Sequence, residues 1–300
     1  MTDPVFIGDA TLFGSLESIA IDRFRAFEPP EGYWLAFSGG KDSVVLYDLA
    51  VESGVKFDAH YSVPPPDPPE VKRFVSQFYP EVQKHYPKES VLAATRKHGM
   101  LPTRVIRWCC REWKETGGNG RTILTGIRAE ESARRGKRKM VEACYRKRNT
   151  RYVHPLIDWT TTDIWSYIRR RELPVVCLYA EGQKRVGCVL CPMTRDVEWQ
   201  MKRWPNITRM WRRMAEVALG EAQRRRHERC DFPDAEAYWR WWIDRDAPAP
   251  NDDLPLFGET PLETTCGDED AMTGGPLLAG TGAEIRLTKI ECVGEIDLFA

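Results

Sequence analysis

The chain has 300 residues, of which 42% are hydrophobic, and a formal net charge of zero. This length and composition predict one sizeable domain, or one domain with appendages. No apolar run approaches the roughly 20 residues that cross a bilayer, and no basic region followed by an apolar stretch opens the sequence. We therefore expect a soluble, cytoplasmic protein without a membrane partner. In that compartment, nine cysteines favour metal binding or catalysis over a disulfide framework.

The zero net charge conceals a segregation of charge along the chain. Residues 1–90 carry 8 Lys/Arg and 14 Asp/Glu, residues 91–230 carry 32 and 14, and residues 231–300 carry 4 and 16. The three net charges are −6, +18 and −12. A basic middle segment favours an anionic substrate or partner. The alternative is a solvated basic face that the acidic end compensates, and the charge pattern leaves both interpretations open.

Strands and helices are expected to alternate from the start of the main domain. An apolar run at residues 33–37 predicts a buried strand, and a glycine turn separates it from a helix over residues 42–51. A second strand is expected at residues 57–63. The prolines within residues 64–69 forbid regular structure there.

Further elements follow the proline-rich segment. Asp67 suits the start of a helix that reaches about residue 83. Residues 122–127 predict a third strand, and Thr162 is the expected N-cap of a helix over residues 163–171. Strands that alternate with helices predict an α/β fold, with a mainly parallel twisted sheet and helices on both faces.

The last third of the chain changes character. Residues 196–229 are helical in pattern and rich in Trp and Arg. An acidic segment rich in Gly and Thr follows residue 246 and contains a β-like piece at 283–290. We predict four segments: a helical extension at 1–30, the main α/β domain at 31–195, a Trp/Arg-rich helical extension at 196–245, and an acidic linker and tail at 246–300.

Residues 38–43, Ser-Gly-Gly-Lys-Asp-Ser, have the features of a phosphate-binding turn. They follow an apolar strand and open a helix, so backbone N–H groups and the positive end of the helix dipole face a ligand. Lys41 adds a positive charge, and Ser38 and Ser43 offer hydroxyl groups. The spacing is not that of a Walker loop. An ordinary glycine turn is the alternative, and the hexapeptide is more specific than such a turn.

Residues 38–43 resemble the PP-loop of ATP pyrophosphatases and of the phosphoadenosine phosphosulfate reductase family. Later segments resemble further motifs of that family and occur in the same order. These segments are Gly-Ile-Arg-Ala-Glu-Glu-Ser at 126–132, His-Pro-Leu-Ile-Asp-Trp at 154–159, Thr-Asp-Ile-Trp at 162–165, Leu-Tyr-Ala-Glu-Gly at 178–182 and Arg-Val-Gly-Cys at 185–188. The resemblance covers roughly residues 30–200.

The resemblance implies an enzyme that binds an adenine nucleotide or sulfonucleotide at the carboxyl end of the sheet. Lys41 and Arg128 would be catalytic, and Arg128 and Lys114 would contact the ligand's phosphates. Solvated surface charge is the alternative for Arg128 and Lys114. Mg²⁺ is expected if ATP is the substrate. The implied nucleotide-binding residues are Ser38, Gly39, Gly40, Lys41, Asp42, Ser43, Lys114, Gly126 and Arg128.

Four cysteines form two close pairs, Cys109-Cys110 and Cys188-Val-Leu-Cys191. Thiolates are soft ligands that suit an iron–sulfur cluster or zinc. Adjacent cysteines are uncommon in zinc ribbons, and the pattern resembles the ligand set of cluster-containing adenylylsulfate reductases. We predict a [4Fe–4S] cluster on these four residues, with zinc or free thiols as alternatives. The cysteines expected to be apolar fillers or surface thiols are Cys144, Cys177, Cys230 and Cys266.

Two departures from the family pattern bear on the chemistry. Reductases of the family resemble one another in a C-terminal Glu-Cys-Gly-Leu/Ile-His segment, whose cysteine attacks the sulfate sulfur. Here the candidate is Cys292, which is followed by Val-Gly and surrounded by acidic residues that raise a thiol pKa, the wrong direction for a nucleophile. The family's Leu-Asp-Thr-Gly motif is also replaced, by the proline-rich segment at 61–70. This replacement leaves the identity of the nucleotide open.

Residues 134–151 contain nine Lys/Arg and one acidic residue, Glu142. Such density suits nucleic-acid phosphates. The alternative is a solvated loop beside the nucleotide site, whose charge serves a small anion. The tryptophans expected to be helix core rather than base-stacking platforms are Trp199, Trp204, Trp211, Trp239, Trp241 and Trp242.

Two reactions fit these features. The first, our primary assignment, is reduction of adenylylsulfate or phosphoadenylylsulfate to sulfite with a thiol electron donor. The second is ATP-dependent adenylation that releases pyrophosphate and installs sulfur from a partner protein on a nucleic acid or small molecule, similar to the DNA phosphorothioation enzyme of this family. A nucleotide-binding regulator without turnover is a third interpretation.

Overall fold

The computed structural model describes residues 14–144, 148–225 and 232–244. The strands are β1 Tyr33–Ala36, β2 Phe57–Ser62, β3 Gln83–His85, β4 Thr122–Leu124, β5 Val141–Ala143 and β6 Arg151–Val153. The helices are α1 Leu16–Ala26, α2 Lys41–Ser53, α3 Pro69–Phe78, α4 Val91–His98, α5 Trp108–Trp113, α6 Thr161–Arg170, α7 Val197–Arg203, α8 Pro205–Arg224 and α9 Ala235–Ile243.

The six strands form one sheet in the order β3-β2-β1-β4-β6-β5. All neighbouring pairs are parallel except β5 and β6. The chain moves outward from β1 to β3, and then resumes on the other side of β1 at β4. Right-handed crossovers therefore place α2 and α3 on one face and α4 and α5 on the other. This arrangement confirms the predicted α/β fold with a mainly parallel sheet.

The reversal of strand order creates a crevice between β1 and β4. In open α/β sheets, ligands bind outside the carboxyl ends of the strands at such a switch point. The turn at residues 38–43 follows β1, and Gly126 lies two residues beyond the end of β4. The fold thus brings two predicted nucleotide-binding segments to the same crevice.

Three predicted boundaries are wrong, each for a local reason. The helix expected to reach residue 83 ends at Phe78, because Pro80 disfavours helical backbone at Tyr79. Gln83 instead pairs with β2 as part of β3. The strand expected at residues 122–127 is shorter, since β4 ends at Leu124.

The third boundary concerns α6, whose N-cap is Thr160 rather than Thr162. The Thr160 hydroxyl accepts a hydrogen bond from the Asp163 N–H at 3.2 Å. The Asp163 carboxylate accepts one in return from the Thr160 N–H at 2.7 Å. This reciprocal capping box satisfies two backbone donors, whereas a helix that began at Asp163 would leave them without these partners.

The helices that follow the sheet region pack through tryptophans. Trp204, Trp211, Trp239 and Trp242 are buried, and Trp199 and Trp241 are partly buried against the same core. The prediction of core tryptophans is therefore confirmed. None of the helices in the described ranges combines the length and apolar character that a bilayer crossing requires. The predicted β-like piece at 283–290 and the tail from residue 246 lie outside the described residues, and the four segment boundaries stay a prediction.

The buried centre of β1 provides a test of the fold. Leu35 is fully buried, whereas Val51 on α2 is 56% exposed. Leu35→Ala should lower the free energy of unfolding by about 2–5 kcal/mol, because it leaves a cavity in a close-packed core. The control Val51→Ala should change it by no more than about 0.5 kcal/mol. Urea unfolding measures both values, and similar losses in the two variants would contradict the assignment of β1 to the core.

Candidate nucleotide and four-cysteine site

The turn between β1 and α2 is built for close approach of the backbone. Gly39 has φ +73, and a Cβ placed there would lie 2.9 Å from Val71 Cγ1. The Ser43 hydroxyl accepts a hydrogen bond from the Ser38 N–H at 3.2 Å and donates one to the Gly40 carbonyl at 2.8 Å. Gly40 is the N-cap of α2 and provides no side-chain cap. The first N–H of α2, that of Lys41, is thus left to a partner from outside the helix.

Gly126 allows the loop after β4 to touch this turn. A Cβ at Gly126 would lie 3.0 Å from both the carbonyl carbon and oxygen of Asp42. These are backbone atoms, which cannot move aside as a flexible side chain can. The glycine is therefore required for the contact between the β4 loop and the start of α2.

Lys41 is buried, with 6% of its surface exposed. Its backbone N–H donates a hydrogen bond to the Tyr179 hydroxyl at 2.9 Å, and its Nζ lies 3.0 Å from Asp42 Oδ2. Tyr179 thus occupies a position where a helix N-terminus binds an anion. The motif Leu-Tyr at 178–179 marked this segment in the sequence, but only the fold shows that its hydroxyl reaches Lys41.

Arg128 is 2% exposed and is held by protein groups. Its Nε lies 2.7 Å from Asp42 Oδ1, and its Nη1 lies 2.8 Å from Glu130 Oε2. The same Nη1 donates to the Trp159 carbonyl, and Nη2 donates to Thr161 Oγ1, both at 3.2 Å. Four of the five N–H donors of a guanidinium are used in these bonds. The structure places Arg128 beneath the phosphate turn, and its contact with a ligand stays a prediction.

The fold brings the four predicted cysteine ligands together. Cys109 and Cys110 lie on α5 and share a hydrogen bond between their thiols. Cys188 and Cys191 lie in a turn in which the Cys191 N–H donates to the Cys188 carbonyl at 3.3 Å. The charges of Cys188 and Cys191 both act on Cys109. All four thiols are free and half-buried.

The turn that carries Cys188 and Cys191 is anchored by the helical extension. The Trp211 indole N–H donates to the Val189 carbonyl at 3.2 Å, and the Leu190 N–H donates to Gln200 Oε1 at 2.7 Å. Leu190 has φ +55, which is uncommon for a residue with a branched side chain. The surrounding packing must therefore hold this turn in place.

Cations adjoin the cysteines. Arg107 Nη2 lies 3.2 Å from Cys110 Sγ. Burial acts to lower the pKa of Lys114, but the charges of Cys188 and Asp67 outweigh it and raise that pKa. The hydrogen bond from Cys109, assisted by the charges of Arg107 and Lys114, lowers the pKa of the Cys110 thiol. Burial raises the pKa of Cys188. Lys114, predicted as a phosphate contact, thus lies at the cysteine site.

Asp67 is a site residue that the sequence did not identify. It is 5% exposed and lies in the proline-rich segment that replaces the family motif. The Tyr61 hydroxyl donates to Asp67 Oδ2 at 2.6 Å, the Cys188 thiol lies 3.4 Å from Oδ1, and Lys114 Nζ lies 4.0 Å from Oδ1. The sequence pattern indicates a helix start at Asp67, whereas α3 begins at Pro69, and only the departure from the family motif distinguishes this segment.

No three His, Cys, Asp or Glu side chains in the described ranges are placed to hold a metal ion. Of the remaining cysteines, Cys144 and Cys177 are described, and both are buried. Cys230, Cys266 and Cys292 lie outside the described residues. The role predicted for Cys292 therefore stays a prediction.

Comparison with known proteins places these features in a family. The model of the phosphoadenosine phosphosulfate reductase domain matches residues 32–194. An uncharacterized protein of Methanocaldococcus jannaschii is 26% identical over 226 residues, which are 69% of this chain and 45% of that protein. Adenosine 5'-phosphosulfate reductase of Bacillus anthracis is 29% identical over 106 residues, 31% of this chain and 46% of that protein. The chain spans about half the length of these curated relatives.

Among solved structures, phosphoadenylyl-sulfate reductase from Candida auris, in a phosphate complex, is similar to 58% of this chain. The match covers 88% of that protein, with 19% identity and a TM-score of 0.45.

The glycine turn gives a test with a matched control. Gly39 and Gly54 have nearly the same φ, +73 and +74, but an added Cβ meets Val71 at Gly39 and nothing within 4 Å at Gly54. Both substitutions to Ala should incur about 1–2 kcal/mol of backbone strain. Only Gly39→Ala should also weaken pyrophosphate binding, measured by calorimetry. Equal pyrophosphate affinity in the two variants would contradict a phosphate role for this turn.

His154 gives a test of pH dependence. It is fully buried, and its Nδ1 lies 2.6 Å from Thr125 Oγ1, one residue before Gly126. Burial, followed by the charges of Arg138 and Arg135, lowers the pKa of His154 to about 3. The unfolded chain therefore binds a proton that the folded chain excludes between this pH and about 6.5. Stability should fall as the pH drops below about 6.5.

The variant His154→Gln isolates this contribution. The free energy of unfolding of the wild type should decrease by about 1 kcal/mol more per pH unit between pH 6 and pH 4 than that of the variant. Urea unfolding at several pH values measures the difference. Parallel pH profiles of the two proteins would show that His154 titrates normally in the folded state.

Proposed function

Because the chain belongs to the phosphoadenosine phosphosulfate reductase family, we propose that it reduces adenylylsulfate or phosphoadenylylsulfate to sulfite. One observation carries the proposal: the phosphate turn and the four cysteines are joined through one segment. Val71 of α3 packs on Gly39 of the turn. Asp67, four residues earlier, contacts Cys188. A ligand anchored by its phosphates in the crevice would therefore lie near the segment that contacts Cys188.

The phosphate turn supplies binding and charge stabilisation in this proposal. A phosphate oxygen would replace the Tyr179 hydroxyl as the acceptor of the Lys41 N–H, which now forms a 2.9 Å hydrogen bond. The Lys41 ammonium, now 3.0 Å from Asp42, would add its charge on the same side. Such preorganised donors stabilise negative charge that develops on a leaving phosphate.

The four cysteines suit a [4Fe–4S] cluster better than zinc. A zinc ion needs four ligands that converge at about 2.0–2.3 Å on one point, and adjacent cysteines such as Cys109 and Cys110 on α5 are uncommon in zinc ribbons. A cubane cluster distributes its cysteine ligands over separate irons, so they need only face one another. Arg107 and Lys114 supply positive charge beside these thiolates. When bound, the cluster would provide electrostatic tuning of the sulfonucleotide site.

The proposed reaction moves two electrons. One thiolate attacks the sulfate sulfur, and the bond between that sulfur and the phosphate oxygen breaks. The nucleotide leaves with the bonding electron pair, which Lys41 and the turn's N–H groups stabilise. A second thiol then attacks the resulting thiosulfonate, releases sulfite and forms a disulfide. The two thiols are oxidised as the sulfur is reduced, and Cys292 is the candidate for the first.

A second candidate function is ATP-dependent sulfur insertion, with release of pyrophosphate and with Mg²⁺ on the phosphates. The proline-rich segment favours it, because Asp67 stands where the reductase motif differs and adds a carboxylate to the cysteine site. In this reaction Lys41 would stabilise the departing pyrophosphate. Sulfur would come from a partner protein, and the acceptor would be a nucleic acid or a small molecule.

The test uses the full chain purified without oxygen. We expect sulfite from adenylylsulfate or phosphoadenylylsulfate with a thiol reductant, and about four irons per chain. In Cys188→Ser, the iron content and the rate of sulfite formation should both fall to background. Cys144→Ser, which removes a buried thiol outside the four-cysteine site, should retain both.

Each other outcome has a defined meaning. Sulfite formation that disappears in Cys292→Ser would identify the nucleophile. No sulfite, together with pyrophosphate release from ATP, would establish the second candidate in place of the first. Zinc in place of iron would contradict the cluster.

A further inference from the structure

The basic segment at residues 134–151 contains the edge strand of the sheet. β5 is that strand, and β6 separates it from β4. Among the described residues of this segment, four cations are exposed to solvent. We call Lys137, Lys139, Arg148 and Arg151 the edge cations.

The edge cations differ from their neighbours because no described carboxylate lies within ion-pair distance of their charged groups. The one acidic contact among them is through the backbone, where the Lys139 N–H donates to Glu142 Oε1 at 2.8 Å. Arg135 pairs with Glu131, and Arg138 lies 3.1 Å from Glu142, the single carboxylate of the segment. In the part of the chain that the structure describes, none of the edge cations forms an ion pair. Their charge is therefore available to an external anion.

A nucleotide in the crevice is too distant to account for all of this charge. Arg151 lies opposite Thr122, the first residue of β4, whereas the nucleotide site follows the other end of β4 at Gly126. Four residues of extended chain span about 13 Å. β5 lies two interstrand spacings, about 10 Å, beyond β4. The interpretation that the basic segment serves only a small anion therefore fails for Arg151.

The other end of the edge lies near the nucleotide site. β5 begins at Val141, opposite Val153 of its antiparallel partner β6, so Lys139 precedes the end of β5 that is nearest the crevice. Upstream, Arg135 contacts Glu131, which lies three residues beyond Arg128. The edge cations thus extend from the mouth of the crevice to the opposite end of the sheet.

We propose that the edge cations bind the phosphate backbone of a nucleic acid that reaches the nucleotide site along β5. Phosphates recur every ~3.4 Å along the axis of one strand, so an edge of this length faces several of them. The inference rests on the proposed function, which locates the reaction in the crevice between β1 and β4. In the second candidate function, sulfur insertion, the nucleic acid would be the sulfur acceptor.

The chemistry of the edge favours a nucleic acid over a protein or a membrane. The large exposed apolar residues of the described chain are Phe27, Val51, Tyr86 and Val105, and none belongs to the segment at 134–151. The core of a protein interface is usually more apolar than its rim, and amphipathic helices that bind membranes bury apolar residues. A phosphate backbone requires only cations, and contact with it carries no sequence specificity.

The experiment measures binding of fluorescent single- and double-stranded DNA and RNA oligonucleotides to the full chain by anisotropy, over a range of salt concentrations. The test variant carries Lys137→Gln, Lys139→Gln, Arg148→Gln and Arg151→Gln. It should bind at least about tenfold more weakly, and the slope of log K against log salt should fall by about 3–4, because about one counterion is released per phosphate contact. ATP binding, measured in parallel by calorimetry, should be unchanged.

A matched control removes four exposed cations from other elements, with Lys56→Gln, Lys88→Gln, Arg209→Gln and Arg213→Gln. The net charge changes equally in the test and control variants. Because the control keeps the edge cations, its oligonucleotide affinity should remain close to that of the wild type. Equal weakening in the two variants, or no binding of any oligonucleotide by the wild type, would overturn the proposal. Oligonucleotide binding without binding of ATP or a sulfonucleotide would support the role of the edge cations and refute the proposed function. Failure of the nucleic-acid proposal and failure of the proposed function are therefore distinguishable.

Discussion

The buried guanidinium of Arg128 is the interaction on which the nucleotide site depends. A buried charge is costly unless it is paired and hydrogen-bonded, and Arg128 meets this requirement through Asp42 at the start of α2 and Thr161 at the start of α6. One side chain therefore holds the β4 loop against two helix N-termini. Gly126 belongs to the same constraint, because only a glycine lets the β4 loop touch the backbone of Asp42. This arrangement also positions the start of α2, where the Lys41 N–H donates to the Tyr179 hydroxyl.

The cysteine site is joined to the phosphate turn by the segment that departs most from the family motif. Pro66 accepts a hydrogen bond from the Val189 N–H at 2.8 Å, so the proline-rich segment and the Cys188 turn support each other. Asp67 and Lys114 balance one another's charge beside Cys188. A change in this segment would therefore act on the nucleotide and on the sulfur chemistry together. The segment that replaces the family motif therefore makes specific contacts with the cysteine site.

Local patterns predicted the centre of the fold but not its margins. β1, α2 and β2 were found because apolar runs and a glycine turn determine them over consecutive residues. The strands β3, β5 and β6 have three residues each, too few for a hydrophobic period to appear. The equally short β4 was predicted because it lies in the longer apolar run at residues 122–127. Spacing predicted which cysteines meet. Tyr179 and Asp67 were missed as site residues because their roles arise from contacts across 138 and 121 residues of chain, which no local pattern encodes.

The most direct test of the account is a crystal structure of the full chain with bound ATP or adenylylsulfate, grown without oxygen. The account predicts that phosphate oxygens accept hydrogen bonds from the N–H groups at the start of α2, with the Tyr179 hydroxyl displaced from Lys41. It also predicts that the bond between Arg128 and Asp42 persists. A ligand whose phosphates lie elsewhere, with the contact between Lys41 and Tyr179 intact, would contradict the central claim that this turn is the nucleotide site.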